Sequence, residues 1–149
     1  MECTVSWTGQ AGARSGMGFV AETGSGHVLA MDGAPDAAKP ENGGQNLAPR
    51  PMETVLAGTG ACTAYDVVLI LKRGRLDVRS CSVKLTSERA ATDPKVFTKI
   101  HMHFTISGKD LPAAAVERAI ALSHEKYCSA SAMLAKTAGM TTSFELLPG

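Results

Sequence analysis

The sequence predicts an α+β fold in which antiparallel sheets surround one long helix. Short segments near the N-terminus and again from residue 78 alternate apolar and polar residues, as half-buried strands do. Between them, residues 51–73 form a mainly apolar stretch of helical length. The chain has 149 residues, enough for one domain with a hydrophobic core, so we expect residues 1–149 to form a single domain.

The N-terminal part predicts a three-stranded antiparallel meander. Residues 2–8 place Cys3, Val5 and Trp7 in alternation with threonine and serine, which indicates a strand. Residues 17–21 and 28–31 are short apolar runs on either side of a Gly-Ser-Gly turn, which favours a hairpin.

Residues 33–51 are rich in Gly, Pro, Asn and Asp and predict a long loop, which we expect to be mobile or functional. A helix should follow over residues 51–73. Pro51 suits its first turn, Glu53 complements the helix dipole there, and Gly74 should end it.

This helix is apolar around most of its circumference, so it must be covered on nearly all sides. Gly58 and Gly60 would let another helix approach closely. We therefore expect an obligate homodimer in which the helix belongs to a shared core.

The C-terminal part predicts two strands, two helices and a last strand. Strands at 78–88 and 96–106 should be joined by a turn around Asp93 and Pro94. Asp110 can cap a helix over 112–127, a shorter helix should span 129–138, and 141–147 should form the last strand.

Composition excludes several classes of function. The net charge is +1, so nothing indicates binding to nucleic acid or to an anionic membrane. Glu53 and Asp66 lie within the apolar stretch and argue against a membrane span. The N-terminus has no signal-peptide pattern, so we expect a cytoplasmic protein.

Cys62 and Cys128 are the main candidates for chemistry. If the fold brings them together they form a redox-active pair, and if not they are ordinary core cysteines. Cys62 lies mid-helix, where Asp66 one turn later opposes a thiolate. Cys128 lies between two predicted helices, close to free backbone N–H groups, and so looks the more acidic thiol.

The other candidates favour structural roles. Cys3 and Cys81 alternate with apolar residues in strands. His101 and His103 share one strand face and could bind a metal, but no third ligand is evident and an exposed face is the simpler interpretation. We expect neither a metal nor a bound cofactor.

The segment from Pro51 to Val68, with Cys62 at its centre, resembles the first cysteine helix of OsmC/Ohr proteins (osmotically induced protein C and organic hydroperoxide resistance). Glu125-Lys-Tyr-Cys128-Ser resembles the second cysteine motif of that family, at a fitting spacing. Residues 83–89 and 107–111 are similar to its YhfA-type branch, and the resemblance extends from Trp7 onward.

The resemblance implies an intertwined homodimer with both sites at its interface. It also implies an antioxidant thiol peroxidase in which Cys62 attacks an organic hydroperoxide, Cys128 resolves the sulfenic acid to a disulfide, and an external dithiol reduces the pair. The alternative is a non-peroxidase protein of the same fold that binds a small apolar ligand or electrophile at the interface.

Peroxidases of this family place an arginine and a glutamate beside the first cysteine. Arg14 is the candidate arginine, with Arg50 as a rival, and Glu53 is the candidate glutamate. Glu53 stands one position later than the family pattern and nine residues before Cys62, roughly 180° around an ideal helix.

Overall fold

The computed structural model describes residues 1–9 and 16–149, which form two compact units, Met1–Val55 and Leu56–Gly149. The predicted element order is confirmed, with an added 3₁₀ turn and an added π-helical turn. The strands and helices are β1 Cys3–Trp7, β2 Phe19–Thr23, β3 Val28–Met31, α1 Pro51–Arg73, β4 Asp77–Arg89, β5 Phe97–Lys109, α2 Ala113–Leu122, α3 Ser129–Leu134 and β6 Gly139–Pro148. The single domain and the homodimer stay predictions.

The first unit contains the predicted antiparallel meander in the order β1-β2-β3. Cys3 pairs with Thr23 and Trp7 with Phe19, while Phe19 pairs with Met31 on the other side. Ala21 of the middle strand is buried, whereas every residue of β1 is exposed in the single chain.

The connector after β3 folds around one buried carboxylate. Asp32 accepts hydrogen bonds from the backbone N–H groups of Gly33 (2.7 Å), Gln45 (3.0 Å) and Leu47 (3.0 Å). These bonds, led by the one from Leu47, lower the pKa of Asp32 although its burial opposes the shift. A 3₁₀ turn at Pro40–Asn42 lies within the loop.

Helix α1 begins with a side-chain hydrogen bond from its first turn and buries one face. The Glu53 carboxylate accepts a hydrogen bond of 2.9 Å from the backbone N–H of Arg50, as an acidic residue does in a capping box. The buried residues of α1 follow helical spacing along one side of the helix: Thr59, Gly60, Thr63, Val67 and Leu71.

Helix α1 ends at Arg73, as predicted, but the left-handed residue that follows the helix is Arg75 and not Gly74. Arg75 has φ +60°, its N–H donates to the Lys72 carbonyl (2.9 Å), and the Leu76 N–H donates to the Leu71 carbonyl (3.1 Å). This is a Schellman motif in which arginine stands where glycine is usual. Gly74 is still bonded as part of the helix, to the Ile70 carbonyl.

Within the described residues, α1 is the one helix that is long and apolar enough to cross a membrane by length and composition. Only 28% of its most apolar window is buried in the single chain. The exposed face of α1, defined by Gly58, Ala61 and Tyr65, lies opposite the buried face. Gly60 does not lie on the exposed face, because a Cβ there would meet Leu85 of β4 at 2.5 Å.

The second unit contains the sheet β4-β5-β6. Strands β4 and β5 are antiparallel, whereas β5 and β6 are parallel, contrary to the expectation of antiparallel sheets throughout. Residues 110–138, which carry both short helices, supply the long crossover that a parallel pair requires. The core side chains of β5 alternate as predicted: Ile100, Met102, Phe104 and Ile106.

Two local predictions in this unit are wrong. The alternation over residues 96–106 predicts that Val96 and Thr98 face the core together with Ile100. Instead Phe97, the first residue of β5, is buried and Val96 and Thr98 are exposed, because a register shift at Glu88 and Arg89 changes which residues face the core. Asp110 does not cap α2. It takes φ +51° in the turn after β5, a conformation that aspartate tolerates, and Pro112 precedes the helix without a side-chain cap.

Candidate active site

The structure brings Cys62 and Cys128 together within the second unit. Cys62 lies in the middle of α1, and Cys128 immediately precedes α3. Their sulfur atoms lie within 4.8 Å of each other, and both thiols are free. Of the two alternatives left open by the sequence, the geometry favours a thiol pair over two separate core cysteines.

The two thiols differ in access. Cys62 is half-buried, whereas the relative exposure of Cys128 is 2%. A reagent arriving from solvent therefore meets Cys62 first. Cys128 can react with a group that Cys62 has already bound or with a very small molecule.

Ser131 holds the Cys128 sulfur in place. The Ser131 backbone N–H donates to Cys128 Sγ at 3.4 Å, and its hydroxyl donates at 3.2 Å. The predicted position of Cys128 at a helix start is therefore correct, but its predicted acidity is wrong. Burial raises the pKa of the Cys128 thiol and outweighs the two Ser131 bonds, while the neighbouring Cys62 adds to the rise.

Asp66 is the third polar group of the site. One of its carboxylate oxygens lies within 4.8 Å of both sulfurs. Asp66 is therefore close enough to oppose a thiolate at Cys62, as its position one helical turn later predicts. The Ser123 hydroxyl donates to Asp66 Oδ2 at 3.0 Å, and Thr63 Oγ1 lies 2.9 Å from the same hydroxyl oxygen. Thr63 and Ser123 are fully buried, so this chain of hydroxyl groups fixes the carboxylate beside the pair.

A π-helical turn connects these groups. The predicted helix over 112–127 is α-helical only to Leu122, and residues Ser123–Tyr127 form the wider turn. The Cys128 N–H closes the turn on the Ser123 carbonyl at 2.8 Å. This one turn therefore positions the Ser123 hydroxyl beside Asp66 and also holds the backbone of Cys128. Such π-helical turns are frequent at functional sites.

Of the predicted charge partners of Cys62, Glu53 has another hydrogen-bond partner in the structure. The Glu53 carboxylate is engaged by the Arg50 N–H, which agrees with its role in the first turn of α1. Arg14 lies outside the described residues. The Arg50 side chain has no hydrogen bond or ion pair among those found for the described part of the chain.

The remaining candidates lie on strands. Cys3 is exposed on β1, and Cys81 is half-buried on β4, where burial raises its pKa. Both ring nitrogens of His101 lie 2.8 Å from hydroxyls, those of Thr141 and Ser143. His103 Nδ1 also lies 2.8 Å from Ser143 Oγ, so these histidines belong to a polar ladder between β5 and β6.

Thr63, Ser123 and Ser131 also belong to the site and were not predicted from the sequence. Ser131 follows Cys128 by three residues, the spacing at which an N-terminal residue of a helix accepts a backbone bond, and this signal could have identified it. Ser123 contacts Asp66 from 57 residues away, and no local pattern indicates such a pair.

The chain is similar in sequence to known proteins. The family model described as OsmC-like protein matches residues 43–143. Protein YhfA of Escherichia coli (strain K12) is 46% identical over 147 residues, which cover 99% of this chain and 98% of that protein.

Solved structures share the fold. A hypothetical protein from Aquifex aeolicus VF5 has a TM-score of 0.78 at 26% identity, with 99% of this chain and 96% of that chain covered. An organic hydroperoxide resistance protein OsmC from Legionella pneumophila has a TM-score of 0.67 at 22% identity, with 97% of each chain covered, and this likeness shows the fold alone. Since the family model spans most of the sequence and a 46% identical relative spans nearly all of it, the chain belongs to the OsmC-like protein family.

Proposed function

We propose that this protein is a thiol-dependent peroxidase that reduces organic hydroperoxides. One observation carries the proposal: two free thiols from different elements lie with their sulfurs within 4.8 Å, one half-buried and one fully buried. This arrangement suits an attacking and a resolving cysteine. Structural neighbours described as organic hydroperoxide resistance proteins support the same class of chemistry.

In the proposed cycle the Cys62 thiolate attacks the outer oxygen of ROOH. The O–O bond breaks and an S–O bond forms, so Cys62 becomes a sulfenic acid. The alkoxide that leaves takes a proton from solvent and becomes the alcohol ROH. The Cys128 thiolate then attacks the Cys62 sulfur, and hydroxide leaves as water with the proton that Cys128 released. An external dithiol reduces the disulfide and is itself oxidised.

Turnover of cumene hydroperoxide with dithiothreitol tests this proposal. We expect the wild-type protein to consume peroxide well above the rate without enzyme, and Cys62→Ser to reduce consumption to that background. Cys81→Ser is the matched control, because Cys81 is another half-buried thiol of the same unit and should be dispensable. Consumption by wild type that does not exceed the background would refute the peroxidase proposal.

The second candidate function is binding of a small apolar ligand or electrophile without peroxide reduction. It is favoured by the carboxylate of Asp66 beside the thiols and by the engagement of Glu53 elsewhere. This candidate predicts no sulfenic acid on Cys62, so dimedone should label nothing after peroxide treatment of Cys128→Ser. The peroxidase predicts labelling of Cys62 in that variant.

A homodimer and a reducing cytoplasmic location belong to the same proposal. The exposed face of α1 is apolar, with Tyr65 69% exposed in the single chain, and a second copy would cover it. Cys62 lies one residue from Ala61 on that face, so a partner would also shape access to the thiol. The free thiols fit a compartment in which cysteines stay reduced.

A further inference from the structure

The thiol pair and Asp66 have the composition and spacing of a metal-binding site. Cys62 Sγ, Cys128 Sγ and a carboxylate oxygen of Asp66 all lie within 4.8 Å of one another. In a tetrahedral zinc site with Zn–S bonds of about 2.3 Å and Zn–O bonds of about 2.1 Å, neighbouring ligand atoms are about 3.6–3.8 Å apart. Each pair of ligand atoms here would need to close by at most about 1.2 Å, which side-chain rotation can supply.

Two of the three donors are already oriented by hydroxyl groups. Ser123 donates to Asp66 Oδ2, and Ser131 donates through both its N–H and its hydroxyl to Cys128 Sγ. Metal ligands in proteins are typically held by such outer hydrogen bonds, which reduce the freedom lost on binding. A carboxylate accepts several bonds, so Asp66 can accept from Ser123 and still offer an oxygen to a metal.

The charges of the site favour a divalent cation. Two thiolates and a carboxylate would bring three negative charges together around a fully buried sulfur. None of the ion pairs found among the described residues involves any of the three. Thiolate ligands select zinc over magnesium or calcium, and three protein ligands leave a fourth position for water or another small ligand.

We propose that the reduced protein binds Zn²⁺ through Cys62 Sγ, Cys128 Sγ and a carboxylate oxygen of Asp66. Binding releases both thiol protons to solvent. Zinc binding and the Cys62–Cys128 disulfide exclude each other, because the two sulfurs of a disulfide are no longer thiolates. The expectation of no metal, made from the sequence, rested on His101 and His103 and did not include the two cysteines with Asp66. The proposal needs only the reduced thiols and Asp66, and it is independent of peroxidase activity.

Competition with a chromophoric zinc chelator tests the proposal on the full-length reduced protein. We expect one zinc ion per chain, loss of binding in Cys62→Ser, and unchanged affinity in the matched thiol control Cys81→Ser. Asp66→Asn should bind at least about tenfold more weakly, and Ser123→Ala should lose about tenfold because its bond orients the carboxylate.

Cobalt provides a second readout that needs no variant. Co²⁺ added to the reduced wild-type protein should give an intense sulfur-to-cobalt charge-transfer band with tetrahedral visible bands, and prior oxidation with diamide should abolish both. Zinc binding that is equal in wild type and Cys62→Ser, or a cobalt spectrum without sulfur ligation, would overturn the site. Full affinity in Asp66→Asn would overturn the carboxylate ligand.

Discussion

Ser131 determines the hydrogen bonding of the Cys128 sulfur, to which it donates twice. Ser131→Ala removes the hydroxyl donor and leaves the backbone N–H. A bond to a charged sulfur stabilises it by about 1.5–3 kcal/mol, so we expect disulfide closure at neutral pH to slow by about tenfold or more. Ser129→Ala is the control, since Ser129 is exposed and adjacent to Cys128.

The lifetime of the Cys62 sulfenic acid after one equivalent of peroxide measures this step. Because burial raises the pKa of Cys128, closure should accelerate as pH rises above the ordinary thiol range, in wild type and variant alike. An unchanged lifetime in Ser131→Ala would show that its hydroxyl does not assist the resolving thiol.

Asp32 makes a second prediction at the residue scale, because both of its carboxylate oxygens are used. Asp32→Asn replaces one acceptor oxygen by a donor and should break a bond to the loop. Asp36→Asn is a matched control, since Asp36 accepts from Ala38 and Lys39 through one oxygen that asparagine keeps. Amide hydrogen exchange should accelerate at Gln45 and Leu47 in the first variant only.

The pH dependence of the same carboxylate has a defined sign. The folded pKa of Asp32 is lowered, so its contribution to stability is present above the unfolded pKa and is lost as pH falls through the folded value. The free energy of unfolding of Asp32→Asn should therefore fall less steeply than that of wild type as the pH is lowered. An acid dependence identical to wild type would contradict the role of this carboxylate.

At the scale of elements, the Schellman motif at the end of α1 places an arginine in a left-handed conformation that favours glycine. Arg75 adopts φ +60°, which costs a residue with a Cβ about 1 kcal/mol relative to glycine. Arg75→Gly should raise the free energy of unfolding in urea by about that amount. Arg73→Gly, within the helix, should lower it by about 1 kcal/mol, and equal effects at both positions would contradict the assigned helix end.

The elements themselves were largely predictable because their signals are local. The alternation in β1 and β5, the proline at the start of α1 and the turn residues between strands all act within a few residues. The parallel pairing of β5 with β6 was not predictable, because it depends on how the crossover through α2 and α3 returns the chain. The register shift beside Phe97 and the π-turn before Cys128 are likewise set by tertiary packing.

The site was predictable in part for the same reason. The family resemblance implies the association of Cys62 with Cys128, and Asp66 follows Cys62 by one helical turn. Ser123 joins the site through contacts with Thr63 and Asp66, which lie about 60 residues away in sequence. Local signals such as strand alternation and helix caps do not indicate contacts at that separation. Glu53 was correctly expected to serve the first turn of α1.

At the scale of the whole molecule, the exposed face of α1 predicts association with a second copy. Tyr65→Arg should convert the proposed dimer to a monomer at micromolar concentration, because a buried unpaired charge is costly at an interface. Leu47→Arg introduces the same charge at another exposed apolar residue and should remain dimeric. Sedimentation velocity distinguishes the two, and a well-folded wild-type monomer would refute the dimer.

The central claim is that Cys62 and Cys128 form a redox pair, and mapping their disulfide tests it most directly. The reduced protein would be treated with one equivalent of cumene hydroperoxide, alkylated, digested without reductant and analysed by mass spectrometry. The account predicts a single cross-linked species joining the Cys62 and Cys128 peptides, with Cys3 and Cys81 alkylated as free thiols. Peroxide treatment that leaves Cys62 and Cys128 both alkylated, or that links them to other cysteines, would contradict it.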